Sequence, residues 1–263
     1  MKRDASNGPG RRQVLAAGFI GLSALVGGAM LPSEAHADEK GDKAIAAVDG
    51  AVFKAKTQYF EYDGTIRTPD KSDRKLSLAV YMKGDKRFSE FLAPSDVKGT
   101  KVLVLSPSQM YVYLPAFKKV RRIASHVTDQ GFMGMNFAQD EMSITSYSKM
   151  YTGTVASDDG KVMKINMTAK KDSEAPYAKV EMTVEKARML PTELKYFSDS
   201  GTHVKTETRT NYTCEKEFCS PTELKMVDHT KNNQSTTLVR KAWKVNHDIP
   251  DSRFTKRALE EGS

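Results

Sequence analysis

Apolar and polar residues alternate along most of the chain. Leu76, Leu78, Val80 and Met82 occupy every second position of one such run, so on a strand these four side chains share one face. The same period of two returns repeatedly toward the C-terminus. Because successive side chains of a strand point to opposite faces, the pattern predicts a sheet with an apolar face.

Turn-forming residues divide this pattern into about a dozen short runs rich in β-branched and aromatic residues, a spacing typical of sandwiches and barrels. Neighbouring runs are close in sequence, which favours an antiparallel meander. The predicted strands are residues 59–66, 76–82, 88–92, 101–105, 110–114, 120–123, 161–169, 178–185, 193–198, 203–212, 222–229 and 235–243.

One stretch near the start follows a helical period instead. In residues 41–56, Ile45, Val48 and Val52 recur at near-helical spacing, which predicts an amphipathic helix with one buried stripe. Its polar face, which includes Asp49, is interpreted as solvated surface, with a partner-binding role as the alternative. Residues 142–153 fit neither period and give no prediction.

The segment GFMGMNF at residues 131–137 interrupts the strand pattern, because Gly131 and Gly134 are poor strand residues. We expect a loop or short helix that lies over the sheet. Soft methionine and aromatic side chains suit either a packed core or a movable lid, and both interpretations stay open. The apolar side chains of this segment are Phe132, Met133, Met135 and Phe137.

Residues 1–37 have the features of an export signal. Arg11 and Arg12 precede a Gly-rich apolar segment, and Ala35-His36-Ala37 fits the small-x-small cleavage pattern, so cleavage is expected after Ala37. The paired arginines favour the twin-arginine route, with general secretion as the alternative. The remaining residues, 38–263, are expected to form one soluble domain in the periplasm.

The chain of 263 residues has a formal net charge of +8. Residues 1–37 hold four basic and two acidic residues, so a charge of +6 stays with the rest of the chain. An exported protein does not meet nucleic acid, so we expect no nucleic-acid partner. Anionic membrane headgroups or an acidic protein are better candidates for so basic a chain.

The cysteines of the chain, Cys214 and Cys219, are separated by four residues. In an oxidising compartment a disulfide is the default for such a pair. We therefore predict a bond between them at the tip of a hairpin. No histidine lies at ligand spacing from them, so no metal site is predicted.

No sequence motif for catalysis stands out. Gly-x-Ser-x-Gly, His-Glu-x-x-His, a phosphate loop and Cys-x-x-Cys are all missing from the sequence. His126, His203, His229 and His247 are scattered, although the pair His203 and His229 could lie on facing strands. We therefore predict neither enzymatic activity nor a cofactor.

A cluster of basic residues marks the strand at 118–122. On a strand, Arg121 and Arg122 point to opposite faces, so one arginine is expected to point inward and contact a ligand headgroup or a partner's carboxylate. The alternative is an exposed edge strand whose charges prevent pairing with another sheet.

Four motifs in a fixed order resemble a known family. KRFSEFLAPSDVKGT at residues 86–100 is followed by MYVYLP, KKVRRI and GFMGMNF, and then by Asp140. This order is similar to the LolA-like family of outer membrane lipoprotein-sorting proteins, whose members carry FxxPxDxKGT, Tyr-Leu-Pro, a basic strand and Phe-Met-Gly. The resemblance covers residues 59–254 and is densest between 88 and 140.

The resemblance implies a mainly β protein with a half-open antiparallel β-barrel, an N-terminal helix and a short helical lid. It also implies an apolar cavity that shields lipid or lipoprotein acyl chains, and that Phe254 docks back onto the sheet. The function expected is a periplasmic carrier in outer-membrane lipoprotein sorting or lipid transport. The alternative is a non-catalytic accessory or sensor protein that binds an envelope transporter, a membrane acceptor or a partner peptide.

An apolar face wider than one short helix needs a cover, because large exposed apolar patches usually mark binding sites. We expect Phe132, Met133, Met135 and Phe137 to close the cavity and to move on hinges at Gly131 and Gly134 when an acyl chain enters.

Overall fold

The computed structural model describes residues 38–123 and 131–261. The predicted export segment, its cleavage site after Ala37 and His126 lie outside the described residues. The described strands are β1 Thr57–Arg67, β2 Arg74–Lys83, β3 Lys86–Ala93, β4 Lys101–Ser106, β5 Gln109–Leu114, β6 Lys119–Ile123, β7 Tyr151–Asp158, β8 Val162–Ala169, β9 Lys179–Glu185, β10 Leu190–Phe197, β11 His203–Glu215, β12 Phe218–Asp228 and β13 Gln234–Val245. The described helices are α1 Glu39–Val52, α2 Gln139–Ser143, α3 Tyr147–Met150 and α4 Lys256–Glu260.

All of these strands belong to one sheet, in the order β6-β5-β4-β3-β2-β1-β13-β12-β11-β10-β9-β8-β7. Each neighbouring pair is antiparallel, and β1 pairs with β13 along almost its whole length. This pairing joins the meander of β1 to β6 and the meander of β7 to β13 into a single sheet. The end strands β6 and β7 do not pair with each other, so the sheet is open, and the expected mainly β, half-open antiparallel architecture is confirmed.

Helix α1 packs on the concave side of the sheet. It begins after Asp38, whose side chain accepts a hydrogen bond from the Lys40 amide, and Ile45 and Val48 are fully buried. A Cβ atom at Gly41 would lie 2.2 Å from the carbonyl oxygen of Gly153, so the absence of a side chain lets the helix touch the backbone of β7. The predicted N-terminal helix is confirmed.

Strand β7 was not predicted from the sequence. Tyr151 and Gly153 are its buried positions, and the strand becomes exposed from Ala156 to Asp158. An apolar alternation is therefore almost missing, and a glycine stands where a strand would normally carry a packing side chain. Gly153 is nevertheless required there, because an added Cβ would lie 2.6 Å from Cδ1 of Ile45.

A second apolar cluster lies on the other face of β3 and β4. Phe254 packs there with Phe88 and Leu103, so the expected docking of Phe254 onto the sheet is confirmed. Leu259 of α4 joins the same cluster and is fully buried.

The predicted disulfide is present. Cys214 of β11 and Cys219 of β12 are opposite each other at a hairpin tip and form a bond. Among residues 38–123 and 131–261, no helix has the length and apolar character that crossing a bilayer requires.

Candidate ligand-binding cavity

A cavity of about 1150 Å³, part of it open to solvent, lies between the sheet and the helices. Its walls come from the concave face of β1, β2, β3, β11, β12 and β13. The end of α1 and the stretch from Phe137 to Tyr147 cover it.

Most of the wall is apolar. The alternation along β1 and β2 places the side chains of one face in the cavity, as the period of two predicts. The ring of Phe60 stacks with those of Tyr62, at 5.6 Å, and Trp243, at 6.4 Å between centroids. The principal apolar wall residues are Phe60, Leu78, Val80, Met82, Leu224 and Leu238.

One ion pair lies at the cavity wall, and its two opposite charges compensate each other. Glu207 and Arg209 are two residues apart on β11, so both face the cavity, and Nε of Arg209 lies 2.7 Å from Oε1 of Glu207. The Tyr196 hydroxyl donates to Glu207 at 2.6 Å, and Arg209 donates to the Tyr147 hydroxyl at 2.9 Å. Burial is the largest single effect on the pKa of Arg209 and lowers it, but the Glu207 carboxylate together with Tyr147 and Tyr212 outweighs burial, so that pKa is raised well above its usual value.

A second ion pair fixes the cover to the wall. Nζ of Lys205 on β11 lies 2.6 Å from Oε1 of Glu141 in α2. The other carboxylate oxygen accepts a hydrogen bond from the Ala138 amide, and the Tyr177 hydroxyl donates to Oε1. Burial, reinforced by the nearby Glu141 charge, raises the pKa of Tyr177.

Arg87 of β3 also lines the cavity, and it lacks a carboxylate partner among the described residues. One Nη atom donates to the carbonyl oxygen of Ile144, whereas Nε is buried without a hydrogen-bond partner. Burial lowers the pKa of Arg87 to about 10. At neutral pH the guanidinium is therefore still charged.

The predicted lid residues do not lie together at the cavity. Phe137 lines it, whereas Met135 is buried in the core and Phe132 packs against Phe91, with ring centroids 5.8 Å apart. The carbonyl oxygen of Met133 accepts a hydrogen bond of 2.7 Å from Arg74. Three of the four side chains therefore form part of the packed structure, and only Phe137 is placed to cover a ligand.

The two glycines of this segment have specific backbone roles. Gly131 pairs with Ala138 in an isolated bridge, and a Cβ there would lie 1.9 Å from the Met135 carbonyl oxygen. Gly134 has a φ of +83°, a conformation that side chains disfavour. A close backbone contact therefore explains Gly131, and a left-handed turn explains Gly134. Movement of the segment about these two glycines stays a prediction.

Residues 142–147 form the part of the cover that the sequence did not predict. Met142 and Ile144 line the cavity, and the ring of Tyr147 contacts that of Phe53 at 5.6 Å. Asp49 of α1 holds this stretch, because its carboxylate accepts hydrogen bonds from the Tyr147 amide at 2.8 Å and the Ser148 amide at 2.9 Å. The interpretation of Asp49 as solvated surface is therefore wrong.

The basic strand lies at the sheet edge, away from the cavity. Arg121 and Arg122 of β6 are both exposed, so the expectation that one points inward is wrong. Arg122 donates to the Ser108 carbonyl oxygen at 2.8 Å, and the Arg121 guanidinium lies 5.3 Å from the Phe117 ring. Contact between these arginines and a headgroup or partner stays a prediction.

His203 and His229 are neighbours, with ring centroids 4.5 Å apart, and the Thr206 hydroxyl bonds to both rings. In the part of the chain that the structure describes, no group of three or more His, Cys, Asp or Glu side chains could hold a metal ion. Burial and the neighbouring His229 lower the pKa of His203.

A protein-family model matches residues 83–261, more than half of the chain. Its description reads "-like: Uncharacterized protein". No curated protein matches the sequence.

Three solved structures share the fold. A domain described as an outer membrane lipoprotein-sorting protein, from Vibrio parahaemolyticus, is 23% identical, has a TM-score of 0.75 and matches 85% of this chain and 99% of its own. A DUF1329 family protein from Desulfovibrio piger is 22% identical, with a TM-score of 0.77 over 84% and 98% of the two chains. A LolA superfamily protein from Nitrosomonas europaea is 19% identical, with a TM-score of 0.70 over 83% and 98%.

Proposed function

We propose that this chain, which belongs to the family matched over residues 83–261 and has the LolA-like fold, is a non-catalytic carrier of acyl chains in the periplasm. Its cargo would be the acyl chains of lipoproteins or another lipid, in outer-membrane lipoprotein sorting or lipid transport. A transporter or a membrane acceptor would exchange cargo with it. Residues 1–37, with the pattern of an export signal, support the periplasmic location.

The cavity is the observation that carries the proposal. It is lined mainly by side chains that offer no specific hydrogen bonds, such as Leu78, Val80 and Met82. Transfer of an acyl chain from water into such a cavity contributes about 0.8 kcal/mol per methylene. The solvent-open part gives the chain a way in, and the stretch at residues 142–147 covers the rest.

The polar wall groups fit a binding role better than a catalytic one. Glu207 is hydrogen-bonded to Arg209 and Tyr196, and Glu141 to Lys205 and Tyr177. The oxygens of both carboxylates are engaged in contacts within the protein, so neither carboxylate is free to contact a substrate.

Filling the cavity from its wall tests the proposal. Val80 lines the cavity, so Val80→Phe should occupy space that an acyl chain needs and lower the affinity for a fluorescent fatty acid roughly tenfold, because about two methylenes lose burial. Val239 on β13 is 42% exposed, and Val239→Phe makes the same change outside the cavity. This control should bind like the wild type.

Lipid extraction and mass spectrometry of the wild-type protein, purified from the envelope, provide the second readout. A stoichiometric lipid supports the carrier. Wild-type protein that binds no acyl ligand saturably, or an equal loss in the two variants, would contradict it. An empty cavity together with a stoichiometric co-purifying protein would instead favour the accessory or sensor role.

A further inference from the structure

The inward face of β3 carries a charge that its surroundings do not neutralise. Arg87 pairs across the sheet with Met82 of β2 and Val104 of β4, so apolar neighbours flank it. It lies deep in the protein, yet keeps some accessible surface because it lines the cavity. Enclosing a cation in this way is costly unless an opposite charge compensates it.

The groups that face Arg87 do not supply that charge. Tyr62 and Tyr147 are neutral phenols, and Arg209 carries a positive charge that is already paired with Glu207. The Asp85 carboxylate acts on Arg87 through its charge, but Asp85 is largely exposed and its side chain lies 3.6 Å from Nζ of Lys149. Arg87 is thus a net positive charge on the cavity wall.

The other charges at the cavity do not change this balance. Glu141 is paired with Lys205, and Glu207 with Arg209. Arg240 of β13, which donates to the carbonyl oxygen of the wall residue Ser220 at 3.2 Å, has no carboxylate partner among the described residues either. The charged lining residues are Arg87, Arg209, Glu141 and Glu207, and because Lys205 pairs with Glu141 and Arg209 with Glu207, Arg87 is the lining cation left without a carboxylate partner among the described residues.

The hydrogen bonding of Arg87 is incomplete as well. A guanidinium has five N–H donors, and the one hydrogen bond from Arg87 to the described residues goes to the Ile144 carbonyl oxygen. Its Nε–H is buried and has no acceptor. Ser89, two residues further along the same face of β3, adds a hydroxyl to the cavity wall.

We propose that the cavity takes an anionic amphiphile, whose carboxylate or phosphate head binds Arg87 while its acyl chain lies along Phe60, Leu78 and Val80. Two oxygens of a carboxylate or phosphate match the paired N–H donors of a guanidinium, and a charge-assisted hydrogen bond is among the stronger polar contacts. The inference rests on the proposed function, because it assigns the head of a ligand whose chain fills the cavity.

Three ten-carbon ligands separate the contribution of the head from that of the chain. Decanoate, decanol and decyltrimethylammonium have the same chain and an anionic, neutral or cationic head. Calorimetric titration of the wild-type full chain should give the tightest binding for decanoate, with decanol roughly tenfold or more weaker and decyltrimethylammonium weakest. This comparison requires no substitution.

A matched pair of variants assigns the preference to Arg87. Arg87→Gln should bring decanoate affinity down to about that of decanol while decanol binding changes little. Arg87→Lys, which keeps the charge, should retain the preference for decanoate in part. Arg67→Gln is the control, because Arg67 is exposed and paired with Asp73, and it should behave like the wild type. A thermal unfolding scan checks that each variant is folded.

The outcomes distinguish this inference from the proposed function. Binding of none of the three ligands would contradict the carrier itself. Equal binding of decanoate and decanol by the wild type would leave the carrier standing and overturn the anionic head. Inorganic phosphate alone should not compete with decanoate. If it does so at comparable concentration, the site takes a free anion and the amphiphile is wrong.

Discussion

The Nζ atom of Lys205 lies 2.6 Å from Oε1 of Glu141, and the two side chains are only 7% and 2% exposed. Lys205 belongs to β11, one of the strands of the cavity wall, and Glu141 belongs to α2, which covers the cavity, so this pair fixes α2 to the wall strand. A buried pair of this kind gives little net stability over apolar residues, but losing one member leaves an uncompensated charge.

Removing only the lysine should therefore be costly. Lys205→Met should lower the free energy of unfolding by about 3–5 kcal/mol, because Glu141 is left buried as a charge without its cation. The double substitution Lys205→Met with Glu141→Leu should recover part of that loss. Urea unfolding followed by circular dichroism measures both.

The matched control is the half-exposed pair between Lys195 and Glu193, whose charged atoms are 3.6 Å apart. Lys195→Met should change the free energy of unfolding by less than about 1 kcal/mol, as is usual for surface pairs. If Lys205→Met is no more destabilising than Lys195→Met, the pair does not hold the cover in place.

The disulfide should be intact in protein recovered from the cell envelope. Cys214 and Cys219 close a short loop, and opening it should lower the free energy of unfolding by about 2 kcal/mol in the chain-entropy model. Alkylation of envelope-derived protein without reductant, followed by mass measurement, should show no labelled thiol. Two freely labelled cysteines would refute the bond, and reduced protein serves as the positive control.

Export should depend on the paired arginines. Changing Arg11 and Arg12 together to lysine keeps the charge and removes the twin-arginine pattern, so precursor should accumulate in the cytoplasm. Immunoblots of cytoplasmic and periplasmic fractions measure this. Arg3→Lys, the same kind of change at an arginine outside the pair, provides a comparison. Normal export of the first variant would leave general secretion as the route.

Alternation in the sequence was enough to predict most strands and the apolar wall on β1 and β2. It could not predict which side chains of β3 point into the cavity, because an apolar pattern would place Phe88 on the inward face. The structure instead covers Phe88 with Phe254 and Leu259 on the other face, and this turns Arg87 into the cavity. That outcome depends on a C-terminal segment more than 160 residues away in sequence.

The cover was the least predictable part for a related reason. Residues 142–147 carry no period of their own, and their positions are determined by distant polar partners. Asp49 looks like any solvated residue of an amphipathic helix until α3 is placed beside it. Glu141 and Lys205 are 64 residues apart, and no short-range pattern relates them.

Asp49 should control the order of the cover. Asp49→Ala removes the acceptor for the Tyr147 and Ser148 amides, so these two amides should exchange hydrogen for deuterium faster than in the wild type. Asp63→Ala on β1, where the carboxylate accepts from Ser77, is the control. Unchanged exchange at residues 147 and 148 in Asp49→Ala would show that other contacts hold this stretch.

Two methionines distinguish the predicted lid from the observed cover. Met142 lines the cavity, whereas Met133 does not, although both are half-buried and pack on the same core. Met142→Ala removes apolar contacts with a bound chain, so the dissociation rate of a fluorescent fatty acid in stopped-flow measurements should rise several-fold. Met133→Ala should change that dissociation rate by no more than about a factor of two, because Met133 does not line the cavity. A tenfold change in the rate would require the loss of about 1.4 kcal/mol of contact with the ligand. If Met133→Ala accelerates release and Met142→Ala does not, the segment at residues 131–137 is the moving lid after all, and the contacts of Met133 with Arg74 must open during exchange.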